Sequence, residues 1–176
     1  PPSVNGPLSF YVKVLENGAM SEYVSGRAKS GDEMPITGPF GHFYLRPPVR
    51  PIVMVAGGTG LAPMLSMFDH MTGSGGTDQP IRLLYGANTP DELFALDHLA
   101  GIGLALTTEF AVVAGAPGWN GHVGHVTELL GPANVAGGDV DVYLCGPPPM
   151  IEAAETWLRA NGVDPVRIHA EKFLPS

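Results

Sequence analysis

The most informative segment of the chain is Val55-Ala56-Gly57-Gly58-Thr59-Gly60-Leu61-Ala62-Pro63. It follows the short apolar run 51–56 and opens the apolar-periodic run 61–71, so the pattern predicts a strand, a glycine-rich turn and a helix. Glycines in such a turn let the backbone approach a pyrophosphate, and the helix N-terminus offers free N–H groups and a positive dipole. A tight turn without a ligand is the alternative, but the flanking strand and helix favour a dinucleotide.

The segments that follow continue the alternation of strand and helix. Further strands are predicted over 81–85, 104–113, 140–145 and 166–170, and helices over 90–99, 126–130 and 148–161. This succession predicts an α/β fold, a five-stranded parallel sheet with right-handed crossovers and flanking helices. Ligands of such sheets bind beyond the carboxyl ends of the strands.

The first 50 residues have a different character. The sequence predicts a strand over 8–14, a turn at Asn17-Gly18, a short helix over 20–28 and a bent strand over 36–43. Three short elements cannot bury a core alone, so this segment is expected to be the end of something larger. We therefore predict two domains, 1–48 and 49–176, joined at the proline-rich linker 47–51.

Composition excludes several classes of protein. The chain has 176 residues with 44% hydrophobic content, so a folded core is expected. Its single cysteine, Cys145, excludes a disulfide framework, favours a reducing cytoplasmic compartment and cannot supply the four thiolates of a 2Fe–2S cluster. A net charge of −8 argues against nucleic acid, and no apolar run is long enough for a membrane span. His122 and His125 lie in a glycine-rich loop with no cluster of cysteines or carboxylates beside them, so no metal site is predicted.

A second informative segment, Val142-Tyr143-Leu144-Cys145-Gly146-Pro147-Pro148-Pro149-Met150, ends the fourth predicted strand. A lone cysteine at the end of an apolar strand is more often a buried small hydrophobe than a functional thiol. Gly146 and the three prolines after it are harder to explain by packing alone. They predict a rigid rim at the edge of the sheet, with Gly146, Pro147, Pro148 and Met150 in contact with a ligand.

Four segments occur in a fixed order: Gly18-Ala19-Met20-Ser21, the segment 57–63, the segment 145–150, and Glu171-Lys172-Phe173. In this order they resemble the ferredoxin–NADP reductase superfamily. The resemblance is strongest to the NADH-dependent reductase components of bacterial ring-hydroxylating dioxygenases and multicomponent monooxygenases, and it covers nearly the whole chain. It implies that residues 1–48 are the C-terminal part of an antiparallel flavin-binding β-barrel. The first strands of that barrel have no counterpart in residues 1–10, so we expect a piece of a longer protein.

The resemblance also implies roles for individual residues. In the first domain, Tyr11, Val12 and Lys13 would line the flavin, and Gly18, Ala19, Met20 and Ser21 would hold the FAD pyrophosphate. In the second, Gly57, Gly58, Gly60 and Pro63 would lie beneath the dinucleotide, with Thr59 between flavin and nicotinamide. Catalytic positions would be Thr59, Cys145 beside nicotinamide C4, Glu171 near the redox edge of the flavin, and Phe173 stacked on its ring. A C-terminal core anchor is the alternative for Phe173.

The distribution of charge bears on which nicotinamide cofactor binds. Binding the 2′-phosphate of NADPH needs cationic donors near the adenosine ribose. Between Arg82 and Arg159 the sequence has no lysine or arginine. The predicted ribose-binding segment, with Asn88 and Asp91 as candidate contacts, ends in two carboxylates that would repel a phosphate. NADH is therefore the expected cofactor.

These observations predict an NADH-dependent flavoprotein that passes hydride to FAD and then single electrons to an iron–sulfur protein, a ferredoxin or an oxygenase component. Any 2Fe–2S cluster must lie outside this segment. One alternative is the reductase module of a flavohaemoglobin-like or free-flavin-reducing enzyme, which shares the same motifs. Another is a regulatory module that senses NADH without catalysis; Cys145 and Phe173 count against it, because a sensor needs neither.

Overall fold

A computed structural model describes residues 8–38 and 40–173 of the chain. By their contacts the described residues form two compact units, one up to His42 and one from Phe43 onward. The larger unit contains all the strands, and the smaller contains one helix. The assignment of two domains, with its boundary at 48/49, stays a prediction.

The larger unit is built on one six-stranded sheet, in the order β4-β3-β2-β1-β5-β6. All neighbouring strands run parallel. This confirms the predicted parallel sheet. The strands are β1 (Ile52–Gly57), β2 (Ile81–Ala87), β3 (Leu106–Val112), β4 (His122–Val123), β5 (Asp141–Gly146) and β6 (Ile168–Lys172).

Helices cover both faces of the sheet, as expected for parallel strands. The helices are α1 (Ala19–Gly26) in the smaller unit, and α2 (Leu61–Gly73), α3 (Leu96–Gly101) and α4 (Pro148–Ala160) in the larger. Short 3₁₀ helices fill several connections, among them Gly58–Gly60 and Val126–Leu129. The longest α-helices have 13 residues, and none of the helices within the described ranges is long and apolar enough to cross a membrane.

Two apolar clusters sandwich the sheet. Alternate residues of β1 point to opposite faces: Met54 and Ala56 join the cluster under α2, whereas Val53 and Val55 join the cluster under α4. Burial of β1 on both faces explains why its sequence is a continuous apolar run rather than an alternating one. The fold thus places the carboxyl end of β1 at the centre of one edge of the sheet.

Some predicted elements differ from those observed. The additional strand, β4, was not predicted. It has only two residues, and it forms because it pairs with β3 rather than because of its own sequence. The helix predicted over 90–99 is divided into a 3₁₀ turn at Pro90–Glu92 and α3. Ala95, with φ at +56°, interrupts it, since a left-handed residue cannot continue a right-handed helix.

The strands predicted over 8–14 and 36–43 are absent from the described residues, which include all of those segments except Pro39. A strand needs a neighbouring strand for its hydrogen bonds, and the sheet formed by the larger unit contains neither segment. The predicted linker 47–51 is also not free, because Arg50 pairs with Asp139 and Asp141. The residues just before it are packed as well. Arg46 donates its backbone N–H to the Tyr143 hydroxyl at 2.8 Å, and Phe43 packs edge-on against the same ring.

Candidate dinucleotide-binding site

The strand order creates a crevice between β1 and β5. From β1 the chain continues to β2, β3 and β4 on one side, and only then crosses back to β5 and β6 on the other. Connections leaving the carboxyl ends of β1 and β5 therefore diverge. In open α/β sheets ligands bind at such a switch point, outside the carboxyl ends of the strands. Both glycine-containing segments singled out in the sequence lie at this point.

The turn after β1 brings the backbone against β5. Residues Gly58–Gly60 form one 3₁₀ turn, and Leu61 then begins α2. A Cβ atom at Gly60 would collide with the backbone carbonyl of Cys145. Gly58 has φ at +53°, a region that side chains disfavour. The glycines are therefore required by close approach and by backbone conformation, and Thr59 is held half-buried among them.

The turn after β5 closes over the same crevice. A Cβ atom at Gly57 would lie 2.8 Å from the Met150 sulfur and 3.0 Å from Pro147 Cδ. A Cβ atom at Gly146 would lie 3.2 Å from Gly57 Cα. Because Pro147, Pro148 and Pro149 carry no backbone N–H, the start of α4 offers few donors to a phosphate. This segment makes a rigid wall, and the turn after β1 is the one suited to a pyrophosphate.

Cys145 lies inside the sheet rather than on its surface. Its side chain is 0% exposed and belongs to the apolar cluster under α2. Burial, with a smaller contribution from the charge of Glu171, raises the pKa of the thiol to about 12. The thiol is therefore protonated at neutral pH. The role beside nicotinamide C4 stays a prediction, and a thiolate cannot fill it.

The positions of Glu171 and Phe173 are set by the pairing of β6 with β5. Glu171 is opposite Cys145 in the register, and both residues are at the carboxyl edge. The backbone N–H of Phe173 donates to the Gly146 carbonyl at 3.0 Å, while its ring is 39% exposed. An exposed ring gives no support to the core-anchor interpretation within this unit, and the role of Phe173 stays a prediction. Sheet pairing thus brings the C-terminal motif beside the Gly146 turn.

The segment after β2 lies farther along the same edge. Asn88 donates its backbone N–H to Glu92 at 3.2 Å, and its side-chain amide donates to both Glu92 oxygens at 2.9 and 3.1 Å. Asp91 is exposed beside them. The sequence pointed to both carboxylates of this segment, but it named Asn88 and Asp91, and not Glu92, as the candidate contacts. The Asn88 hydrogen bonds hold the Glu92 carboxylate in place. The sequence could not show this, because a run of charged residues does not reveal which carboxylate is hydrogen-bonded.

The smaller unit carries the residues assigned to the flavin. Tyr11, Val12 and Lys13 lie in an irregular, exposed segment. Gly18 precedes α1, and Ala19, Met20 and Ser21 are its first three residues, whose N–H groups have no intrahelical acceptor. Ser21 is 5% exposed, and its Oγ accepts the Leu15 N–H at 2.9 Å. Its hydroxyl therefore stabilises the turn before α1; a contact with FAD stays a prediction.

Comparison with protein families agrees with this geometry. The family described as "Oxidoreductase NAD-binding domain" matches residues 54–156, which include both turns of the crevice. The chain belongs to this family. A second family, "Oxidoreductase FAD-binding domain", matches residues 1–44 of the chain. The flavin-binding origin of the N-terminal segment is thereby confirmed, although none of its described residues forms a strand.

Relatives of the chain include electron transfer components of two dioxygenases. It is 43% identical to that of 2-halobenzoate 1,2-dioxygenase from Burkholderia cepacia, over 96% of this chain and 51% of the relative. It is 38% identical to that of toluate 1,2-dioxygenase from Pseudomonas putida, over 98% and 52%. The chain thus spans about half the length of the relatives it matches. A solved ferredoxin reductase of carbazole 1,9a-dioxygenase superposes with a TM-score of 0.75 at 25% identity, over 94% of this chain and 50% of that one. The resemblance to the ferredoxin–NADP reductase superfamily is confirmed.

Proposed function

We propose that the whole protein is an NADH-dependent flavoprotein reductase that passes hydride from NADH to FAD and then single electrons to an iron–sulfur protein. The observation that supports this most directly is the meeting of two glycine turns at the switch point between β1 and β5. Gly57 and Gly60 let the two turns pack closely, and a Cβ atom at Gly58 would meet nothing within 4 Å, so the backbone there is open to a dinucleotide.

The residues of the chain would act by binding and orientation. The turn Gly57–Gly60 and the start of α2 would hold the pyrophosphate through backbone N–H groups. The wall formed by Gly146, Pro147, Pro148 and Met150 would fix the plane of the nicotinamide, with the protonated Cys145 behind it. Ser21 and the start of α1 would hold the FAD pyrophosphate. When bound, the nicotinamide supplies the hydride and the flavin divides the electron pair.

Preference for NADH over NADPH is supported by charge. Asn88 fixes the Glu92 carboxylate at the carboxyl end of β2, where the ribose of a dinucleotide is expected. A fixed carboxylate accepts a hydrogen bond from a free 2′-hydroxyl and repels a 2′-phosphate. No lysine or arginine occurs between Arg82 and Arg159 to compensate for this repulsion.

The electron acceptor is proposed from the relatives. Because two of them are electron transfer components of dioxygenases that act on aromatic acids, an oxygenase component or its ferredoxin is the expected partner. Reduction of haem or of free flavin is the competing outcome. A cytoplasmic location is proposed with this function, since NADH is regenerated there.

Rapid-mixing measurements on the full-length protein test the proposal. Flavin reduction should be faster with NADH than with NADPH, and kcat/KM should be higher for NADH. The reduced protein should then transfer electrons to a 2Fe–2S ferredoxin faster than to free flavin. An equal or higher kcat/KM with NADPH would contradict the cofactor assignment, and absence of flavin reduction by either nucleotide would exclude a reductase.

A further inference from the structure

A pair of ionisable side chains, His122 and Glu128, lies on the β4 side of the crevice. In the register, Gly86 of β2, Ala111 of β3 and His122 of β4 form one row across the sheet. A dinucleotide with its pyrophosphate at the turn after β1 would extend one arm over β5 and the other across β2 toward β3 and β4. His122 lies at the β4 end of the row that this second arm would follow.

The two side chains are held together by the loop after β4. His122 Nε2 lies 2.9 Å from one oxygen of Glu128, and the other oxygen accepts the His125 backbone N–H at 2.9 Å. These two hydrogen bonds hold the pKa of Glu128 below its usual range, the His125 bond being the larger cause. Val126 packs against the backbone of Gly86, which anchors the loop to β2. Glu128 is thus a charged carboxylate in a fixed position.

His122 is a potential hydrogen-bond donor to a phosphate, in a part of the sequence that contains no lysine or arginine. Because lysine and arginine are absent between Arg82 and Arg159, the basic side chains there are histidines. His98 pairs with Asp69 of α2 at 2.9 Å. His125 follows His122 in the same loop and is exposed. The ring of His122 is the one bonded to Glu128.

We infer that Glu128 is a specificity-determining residue, which disfavours 2′-phosphorylated dinucleotides by occupying His122. The hydrogen bond to Glu128 occupies the imidazole, and the carboxylate adds a second negative charge to that of Glu92 on this side of the sheet. A 2′-phosphate finds neither a free cation nor a neutral surface. The inference rests on the proposed nicotinamide-dependent function and names a residue that selects the cofactor.

The test is Glu128→Gln in the full-length protein. Glutamine keeps one oxygen for the His125 N–H but loses the charge. Calorimetric titration compares the affinities for 5′-ADP and 2′,5′-ADP. The affinity for 2′,5′-ADP relative to 5′-ADP should rise about tenfold, as expected for one new charge-assisted hydrogen bond and one repulsion removed.

Two further variants separate the inference from simpler explanations. Glu128→Gln combined with His122→Gln should return the ratio toward that of the unmodified protein. Glu155→Gln removes a carboxylate of α4 that pairs with Arg159 at 3.6 Å, and it should leave the ratio unchanged. An unchanged ratio in Glu128→Gln, or a gain that persists without His122 or appears with Glu155→Gln, would overturn the inference.

Binding of 5′-ADP distinguishes this failure from failure of the proposed function. If the unmodified protein binds 5′-ADP and NADH but the ratio does not change, only the role of Glu128 is wrong. If it binds neither nucleotide, the dinucleotide site is wrong and the inference fails with it. Thermal melting of each variant shows whether the loop after β4 is intact.

Discussion

The backbone of Gly60 passes so close to the Cys145 carbonyl that a single added carbon changes the packing of two strands. The clash joins the turn after β1 to the backbone at the carboxyl end of β5, so it cannot be relieved without displacing one of them. We expect Gly60→Ala to lower the free energy of unfolding by about 3 kcal/mol, at the upper end of the cost of overpacking. Denaturant unfolding of the full-length protein measures the loss.

Gly73→Ala is the matched control for this prediction. Gly73 is the last residue of α2, and nothing lies within 4 Å of a Cβ atom built there. Alanine should be neutral or should stabilise the helix by up to about 1 kcal/mol, because it restricts the unfolded chain. Similar losses in the two variants would show that Gly60 is not packed as the structure indicates.

Cys145 should make the stability of the protein depend on alkaline pH. Burial raises the pKa of the thiol from its ordinary value of 9.0 to about 12. Above pH 9 the unfolded chain releases this proton while the folded chain keeps it, so stability present below pH 9 is lost as pH rises toward 12. Each pH unit in this range costs up to about 1.4 kcal/mol.

Comparison with Cys145→Ala isolates this effect. Burial also raises the pKa of Tyr85 to about 12, so part of the alkaline loss has another source and remains in the variant. Unfolding curves between pH 8 and 11 should therefore fall less steeply for Cys145→Ala than for the unmodified protein. Parallel curves would mean that the thiol is more accessible to water than its position in the cluster indicates.

At the scale of elements, the end of β6 positions Phe173 beside the Gly146 turn. Because its ring is 39% exposed, Phe173→Ala should cost far less than the about 3–5 kcal/mol of a buried ring. If the ring covers the flavin, nicotinamide must displace it during each turnover. The variant should then bind NAD⁺ more tightly and turn over more slowly, as measured by titration and steady-state kinetics.

Val166→Ala is a control for this variant. Val166 precedes β6 and is 73% exposed, and its replacement should change neither NAD⁺ affinity nor turnover. Unchanged NAD⁺ affinity in Phe173→Ala would remove the ring from the nicotinamide site. A large fall in melting temperature would instead show that the ring is buried in the full-length protein.

Elements with a clear local sequence pattern were predicted, and elements that form only by pairing with another segment were not. The order of β1, its glycine turn and α2 follows from an apolar run, a turn and a helical period in succession. The two-residue β4 exists only through its pairing with β3. The bond between Asn88 and Glu92 depends in the same way on three-dimensional placement. Sequence alone therefore predicted the crevice but not all the carboxylates along it.

At the scale of the whole molecule, the buried apolar side chains of the described residues all lie in the larger unit. They extend from Ile52 to Val163, and Ser21 is the one buried side chain described in the smaller unit. A segment without a core does not fold by itself. We therefore expect a fragment of residues 43–176 to fold alone, and a peptide of residues 1–42 to give the far-ultraviolet circular dichroism of an unfolded chain.

The boundary of the folding unit can be tested with a second fragment, residues 49–176, which begins at the boundary predicted from sequence. It lacks Phe43 and Leu45, which pack against the cluster under α2, and it leaves the Tyr143 hydroxyl without the Arg46 N–H. Its free energy of unfolding should be lower than that of 43–176 by about 2–4 kcal/mol. Both fragments should unfold cooperatively and bind 5′-ADP, since the crevice lies wholly within them. Equal stability would place the boundary at the proline-rich segment, and a gradual, non-cooperative melt of 43–176 would show that the larger unit depends on the flavin-binding segment for its fold.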